Sequence, residues 1–489
     1  LKSPAHIGWS GLRSADFWTL AYLALPNMIF LAGWVRPEFG LPAALLLLLS
    51  VGFLCCDRPV LSNAPRLLGL ALIVALPWLF LSGIGHFVYA NADWIVRDAV
   101  LADLVRDAWP VIYRNIPDQP DLLLRAPVAY YLPAAVAGKV LGAGSADFAL
   151  FLWSLMGVVL AFFLMIRNGA SSRELISRLF VFVLFSGMDV IGAMFSGKLP
   201  GFASHIEWWA GMYQYSSHTT QLFWVPNHAL PGWIAIAWLL GIKRGTLPVG
   251  LSIAMVACVP LWSPLTAIGL APIFAVAILR EFGLRPMSFG AGLRVLFHPA
   301  AVMIALVTCV LIFPYLLMQG APLPSVMSFE GVPADFYWIR YVQFVLLEFF
   351  VIALLLMRHF RRDALLITAV LVLLVLPLFK FGPYNDLVMR ASIPALAVLA
   401  IRLGEWFSGV WAFNGGQSHV EEDHGASLAM FVFAIGVLTP LLEISRVLVA
   451  PTWKPDLSKT MVMVTNGSAP HYLAPADQAW PKQFLRDQK

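Results

Sequence analysis

Charge is scarce in this chain and cysteine scarcer. Only 12% of its 489 residues are Asp, Glu, Lys or Arg, and four are Cys. With 60% of residues hydrophobic, so little charge excludes a soluble globular domain, which could not hide that much apolar surface. Cys55, Cys56, Cys258 and Cys309 lie within or at the edge of apolar runs. They have neither a pairing nor a metal-binding spacing and read as packing residues. A Gly-Lys-Ser/Thr phosphate loop is absent, which argues against ATP-driven transport by this chain alone. No repeat with a period of about 20–50 residues is visible.

What is present is a series of long apolar runs. A hydrocarbon core of about 30 Å takes about 20 apolar residues per helix, and about 13 stretches meet that criterion. They lie near 16–35, 40–56, 67–87, 147–166, 179–195, 222–241, 247–261, 264–280, 297–318, 340–357, 364–379, 391–408 and 427–447. The pieces at 247–261 and 264–280 are short and joined by Pro260-Leu-Trp-Ser-Pro264, which suits a hairpin. The expectation is an all-α polytopic membrane protein, with a transmembrane domain over 1–448 and an extracytoplasmic tail over 449–489. The first run has no small-residue cleavage site and reads as an anchor.

Lys and Arg orient it. Arg58, Arg66, Arg167, Arg173, Arg178, Lys243, Arg244, Arg280, Arg285, Arg358, Arg361 and Arg402 fall to one side. The short loops opposite keep only Arg36, Lys198, Arg340, Lys380 and Arg390. The positive-inside rule then places the N-terminus in the cytoplasm and 88–146, 196–221, 319–339 and 380–390 outside. The formal charge of +5 reflects this bias and does not argue for nucleic acid. Few Lys and many Trp favour a bacterial inner membrane, with the outer segments in the periplasm. Asn466-Gly-Ser would be a glycosylation sequon only in a eukaryotic secretory membrane.

The outward polar segments carry the candidate chemistry. Asp93–Tyr113 repeats Val96, Val100, Leu104 and Ala108 at helical spacing, with Arg97, Asp103 and Asp107 on the other side. This predicts an amphipathic helix on the membrane surface, capped by Asn91 or Asp93 and ended by Pro110. Asp93 and Asp98 are candidate acids or bases; a plain i,i+4 ion pair between Asp93 and Arg97 is the competing reading. A second amphipathic piece follows at 125–139, with Tyr130 and Tyr131 suited to the bilayer interface. The segment 201–218 is dense in Trp and Tyr and holds His205, Glu207 and His218. It reads either as a sugar platform or as an aromatic belt. Pro226 and Pro231 flank Asn227 and His228, so that span should open on a broken turn beside a cavity. Segment 379–394 holds Lys380, Tyr384, Asn385, Asp386 and Arg390. Its cations suit a phosphate, although Asp386 and Arg390 also stand at i,i+4. Within the spans, Asp189, Glu348, Glu443 and Arg446 should face the bundle interior.

These outward acids, loop helices and late arginine together resemble the membrane-embedded GT-C glycosyltransferase superfamily. The resemblance covers roughly 67–410, by organisation more than by identity. It implies a polyprenyl-phosphate-sugar donor, a glycan, lipid or protein acceptor, and an inverting transfer. Carried residue by residue, the family's external acid falls on Asp93, with Asp98 second, and its late phosphate-binding cation on Arg390. Two departures stand out. The acidic loop follows the third span instead of the first, and Asn-Ala-Asp-Trp replaces the paired acidic motif. No metal ligand set shows in the sequence, while the resemblance leaves room for a divalent cation, Mg²⁺ or Mn²⁺. The rival expectations are a transporter or flippase, or a structural subunit of a membrane complex.

Overall fold

In the computed structural model, residues 14–56, 64–117, 119–169, 171–197, 201–285, 288–318, 334–382, 385–413, 424–467, 469 and 471–486 are described. About 72% of the described residues are helical. Among the described residues, eight helices are long and apolar enough to cross a membrane, and four shorter apolar helices accompany them.

The helices are α1 (Ala15–Trp34), α2 (Pro37–Cys55), α3 (Ala64–Phe80), α4 (Asp93–Arg106), α5 (Leu132–Leu141), α6 (Ala146–Ile166), α7 (Ser172–Val183) and α8 (Asp189–Phe195). Next come α9 (His218–Trp224), α10 (Pro226–Leu240), α11 (Val249–Cys258), α12 (Pro264–Leu284), α13 (Phe289–Leu296), α14 (Pro299–Val307) and α15 (Phe313–Leu317). The remainder are α16 (Ala334–Val345), α17 (Val351–His359), α18 (Ala364–Val375), α19 (Asp386–Ala391), α20 (Ile393–Phe413), α21 (His424–Gly436), α22 (Leu438–Val449), α23 (Met461–Thr465) and α24 (Ala479–Phe484). One small antiparallel sheet, β1 (Ile112–Tyr113), β2 (Leu122–Leu124) and β3 (Leu473–Pro475), joins the first outer loop to the C-terminal segment. Helices α10, α12, α18 and α20 pack on one another, and α6 and α7 flank them.

Several expected spans are broken, each for a local reason. The run at 67–87 ends as a helix at Phe80. Gly83, Gly85 and His86 then all take positive φ, a turn that two glycines make accessible. The run at 179–195 divides into α7 and α8 around the Phe185-Ser-Gly-Met188 bend. The run at 222–241 divides at Val225, because Pro226 has no N–H to continue α9 but suits the first position of α10. Prolines elsewhere stay inside helices, as Pro26, Pro77 and Pro272 do. Polar caps hold many starts: Ser263 Oγ accepts from Thr266 N–H at 3.0 Å, and Ser171 with Glu174 forms a capping box.

Two expectations about the outer segments are corrected. Helix α4 is not a surface helix with a wetted polar face. It ends at Arg106, and Arg97, Asp98 and Asp103 are all buried. The C-terminal segment covers that face. Asp103 accepts from the Tyr113 hydroxyl at 2.6 Å and from Met461 N–H at 2.8 Å, and also pairs with Arg106. Tyr130 and Tyr131 are buried as well, instead of lying at an interface. Tyr130 shares a 2.6 Å hydrogen bond with Ser154. The segment after Val449 therefore packs onto the body: β3 pairs with β2, and Arg36 N–H donates to Phe484 O at 2.8 Å.

Candidate functional site

The break at Val225 builds the site. With α9 stopped, the Phe223 carbonyl accepts instead from Asn91 Nδ2 at 2.7 Å and Trp94 Nε1 at 2.9 Å. Asn91 Oδ1 in turn caps Asp93 N–H at 3.0 Å. The N-terminal turns of α4 and α10 are thereby fixed side by side. Arg97, 3% exposed, reaches across to Asn227 Oδ1 at 2.8 Å and the Tyr131 hydroxyl at 3.2 Å. Asp93 lies 3.5 Å from the same guanidinium, yet its side chain is 44% exposed. That is a loose contact, which leaves the carboxylate open to solvent or to a ligand.

From Arg97 a directed chain of donors runs inward. The guanidinium claims Asn227 Oδ1, so the amide Nδ2 donates to His228 Nε2 at 3.1 Å. His228 then carries its proton on Nδ1, 2.6 Å from Ser263 Oγ. Ser263 donates to Thr266 Oγ1 at 2.8 Å, and Thr266 returns to His228 O at 3.1 Å. Both imidazole nitrogens are occupied, so His228 acts as an orienting group here and not as a free base. The chain also ties the starts of α10 and α12 together, and both helix N-termini favour an anion.

Arg390 arrives from α19 on the same side. Its charge and that of Arg97 both reach His228. It pairs with Asp386 at 3.0 Å, and its Nε is buried without a hydrogen-bond partner, as is Arg97 Nε. Asn385 holds the preceding turn in a left-handed conformation, φ 55°, accepting from Phe381 N–H and donating to Met212 O at 3.0 Å. It thus shapes the loop. Lys380 is half-buried nearby in sequence. Tyr384 lies outside the described residues.

The sequence reading missed the groups brought by the C-terminal segment. Tyr472 interacts electrostatically with Arg97 and Tyr131, and His471 with Asp386, Arg390 and Arg125. Burial lowers the His471 pKa; Asp386 opposes this, while Arg390 and Arg125 add to it. The imidazole is neutral near pH 7. Arg125 N–H donates to Tyr472 O at 2.7 Å, so β2 and β3 deliver this pair. A His-Tyr dipeptide in a proline-rich tail carries no pattern that points inward.

The other candidates lie elsewhere. Asp98 is taken up by His86, whose Nε2 stands 3.1 Å from Asp98 Oδ2. That contact is close but poorly aligned, an ion contact more than a hydrogen bond. His86 Nδ1 is 3.1 Å from Asp147. Burial opposes the charge on His86, but the bonds to Asp147 and Asp98 outweigh it and push its pKa up to about 9. Burial raises the Asp98 pKa. Gly83 and Gly85, just before His86 at the end of an apolar run, were the available signal.

His205 and Glu207 belong to a second polar centre. His205 Nδ1 pairs with Glu443, which also accepts from Trp224 Nε1 at 3.1 Å and pairs with Arg446. Glu207 accepts from Ser217 N–H at 2.9 Å and Gln214 Nε2 at 3.2 Å; burial pushes its pKa up to about 7. Nearby, Asp189 accepts from Ser186 and Thr439, both at 2.9 Å, and its Oδ1 is buried without a hydrogen-bond partner, as is Glu348 Oε2. Glu348 sits in a π-helical turn, Leu346–Phe350, and accepts from Trp209 Nε1 at 2.8 Å. His218 is a core residue, stacked 4.0 Å from Phe182 with Nδ1 on Phe182 O. No group of three or more His, Cys, Asp or Glu suited to a metal occurs among the described residues.

The chain matches no protein-family model, no curated protein and no solved structure.

Proposed function

We propose that this chain is a membrane glycosyltransferase that moves a sugar from a polyprenyl-phosphate donor to an acceptor hydroxyl. The observation that carries the reading is the meeting of Arg97, Arg390 and the first turn of α10. Two guanidinium groups with buried, unsatisfied Nε atoms both reach His228, and one of them, Arg97, stands beside the open carboxylate of Asp93. Buried arginines left incompletely bonded suit an anion with several oxygens, and phosphate is that anion. About 13 crossings, a bacterial inner membrane and a periplasmic site belong to the same proposal.

The transfer then proceeds in one displacement. Arg97 and Arg390 hold the donor phosphate and stabilise its charge as the bond from the anomeric carbon to the phosphate oxygen breaks. The acceptor oxygen bonds to that carbon from the opposite face, and Asp93 takes its proton. The products are the glycosylated acceptor, polyprenyl phosphate and a protonated Asp93. Asn227 and Tyr131 fix Arg97, and His228 orients Asn227. Asp98 has a supporting role through His86. The acceptor is a glycan, a lipid or a protein; no divalent cation enters the step as written.

The test is turnover by the purified protein in lipid nanodiscs with a panel of polyprenyl-phosphate sugars. Release of polyprenyl phosphate that stops in Asp93→Asn and persists in Asp98→Asn is the expected result. Full turnover by a folded Asp93→Asn protein removes Asp93 as the base.

A second reading has an observation of its own. Inside the helix bundle Asp189 and Glu348 are both buried, and each keeps one carboxyl oxygen without a hydrogen-bond partner. Such pairs occur in proton-coupled transporters. Proteoliposome proton uptake without sugar transfer would favour it.

A further inference from the structure

Helices α10 and α12, which begin at the Arg97–Arg390 site, have their other ends around a second cationic pocket, which α18 and α20 complete. Helix α10 begins at the site with Asn227 and His228 and ends at Leu240, which lines that pocket. At about 1.5 Å per residue the two lie roughly 20 Å apart. Helix α12 starts beside Ser263 and brings Arg280 to the far end. Helix α18 is capped there by Asp363, and α20 contributes Arg402.

The pocket has a volume of about 310 Å³. Its polar lining is Arg244, Arg280, Arg361, Arg402 and Asp363. Arg402 is already balanced, by Asp363 at 2.8 Å and Glu405 at 2.6 Å, and rests on the Phe360 ring. The other three have no carboxylate within ion-pair distance among the described residues, and Arg361 has only a long 3.4 Å bond to Arg358 O. Three unmatched cations converge on one concavity. Its remaining wall is apolar, with Leu239, Leu240, Ile242 and Leu365, and Leu279, one residue before Arg280, is 68% exposed. An anionic rim group with hydrocarbon attached fits both halves.

We propose that this pocket binds the phosphate of an anionic phospholipid headgroup, held by Arg244, Arg280 and Arg361, with its glycerol and acyl chains along the apolar wall. Arg402 is a fixed wall of the pocket. By the positive-inside rule the lipid would come from the cytoplasmic leaflet. This site is independent of the transfer chemistry, because it lies at the opposite end of the bundle.

The experiment is native mass spectrometry and thermal melting of the full chain in phosphatidylcholine nanodiscs, with and without phosphatidylglycerol. Each juxtamembrane arginine contributes roughly fivefold to anionic-lipid affinity, so removing three should weaken it on the order of 100-fold. The expected result is retained phosphatidylglycerol and a higher melting temperature in wild type. Both should be lost in Arg244→Gln/Arg280→Gln/Arg361→Gln, while melting in pure phosphatidylcholine is unchanged. Should the triple variant misfold, Arg280→Gln alone is expected to weaken retention about fivefold. Inorganic phosphate in pure phosphatidylcholine is expected to do nothing. If it stabilises wild type as well as the lipid does, the headgroup assignment is overturned in favour of a soluble phosphate. Undiminished retention in a folded variant overturns the site altogether.

Discussion

His86→Gln is the sharpest perturbation the structure offers. His86 is 1% exposed and stands between Asp98, 8% exposed, and Asp147. Its pKa is raised from 6.5 to about 9, because the two carboxylates outweigh the burial that opposes its charge. The folded state therefore binds the proton more tightly than the unfolded chain. That stability is fully present below pH 6.5 and is lost as the pH rises through about 9. Moving a pKa that far corresponds to about 3 kcal/mol. It is an upper figure, since the raised pKa of Asp98 offsets part of it. The assay is unfolding in detergent micelles across this window. Wild type should lose on the order of 2–3 kcal/mol between its two ends, and His86→Gln should start lower and stay flat. The two should converge at the alkaline end. A constant gap between them, or a variant as stable as wild type at pH 6.5, would refute the buried ion triad.

Other perturbations have distinct signatures. Glu207 has the same sign through its neutral form: its pKa is raised from 4.5 to about 7 by burial, so stability falls as pH rises through that interval. Glu207→Gln should flatten acid-side melting curves between pH 4.5 and 7 and leave the alkaline slope alone. Asp103→Ala strips acceptors from Tyr113 and Met461 and should cost about 3 kcal/mol. Limited proteolysis should then cut within 457–475 well before the body unfolds. A Cβ at Gly269 would lie 2.0 Å from Ala391 O, one residue from Arg390. Gly269→Ala should cost about 1–3 kcal/mol by melting and weaken phosphate-lipid binding, while Gly283→Ala, with open space around it, should do neither.

What the sequence made legible was local. Asp93–Arg97, Asp386–Arg390 and Glu443–Arg446 pair as their helical spacing suggests. The broken turn at Pro226 is where two prolines around Asn227 and His228 placed it. Membrane character follows from composition, and Asp189, Glu348 and Glu443 are buried as their cost in lipid requires. What stayed hidden depends on which surfaces meet. Periodicity gave α4 an apolar and a polar face, but only the fold shows a C-terminal segment covering the polar one. His86 was absorbed into an apolar run because hydropathy averages over the Gly83–His86 turn. His471 and Tyr472 reach the site through strand pairing between segments far apart in the chain, which no spacing encodes.

Because the sugar is not needed to test the phosphate clamp, binding of polyprenyl phosphate alone is the direct measurement. Equilibrium binding to the protein in nanodiscs should be tight for wild type. A charge-assisted hydrogen-bonding group contributes about 1.5–3 kcal/mol, so Arg97→Met and Arg390→Met should each weaken it roughly tenfold to 100-fold. The triple arginine variant at the other end of the bundle should bind as wild type does. Absence of binding by wild type, or unchanged binding after both Arg97 and Arg390 are replaced in a folded protein, would contradict the account.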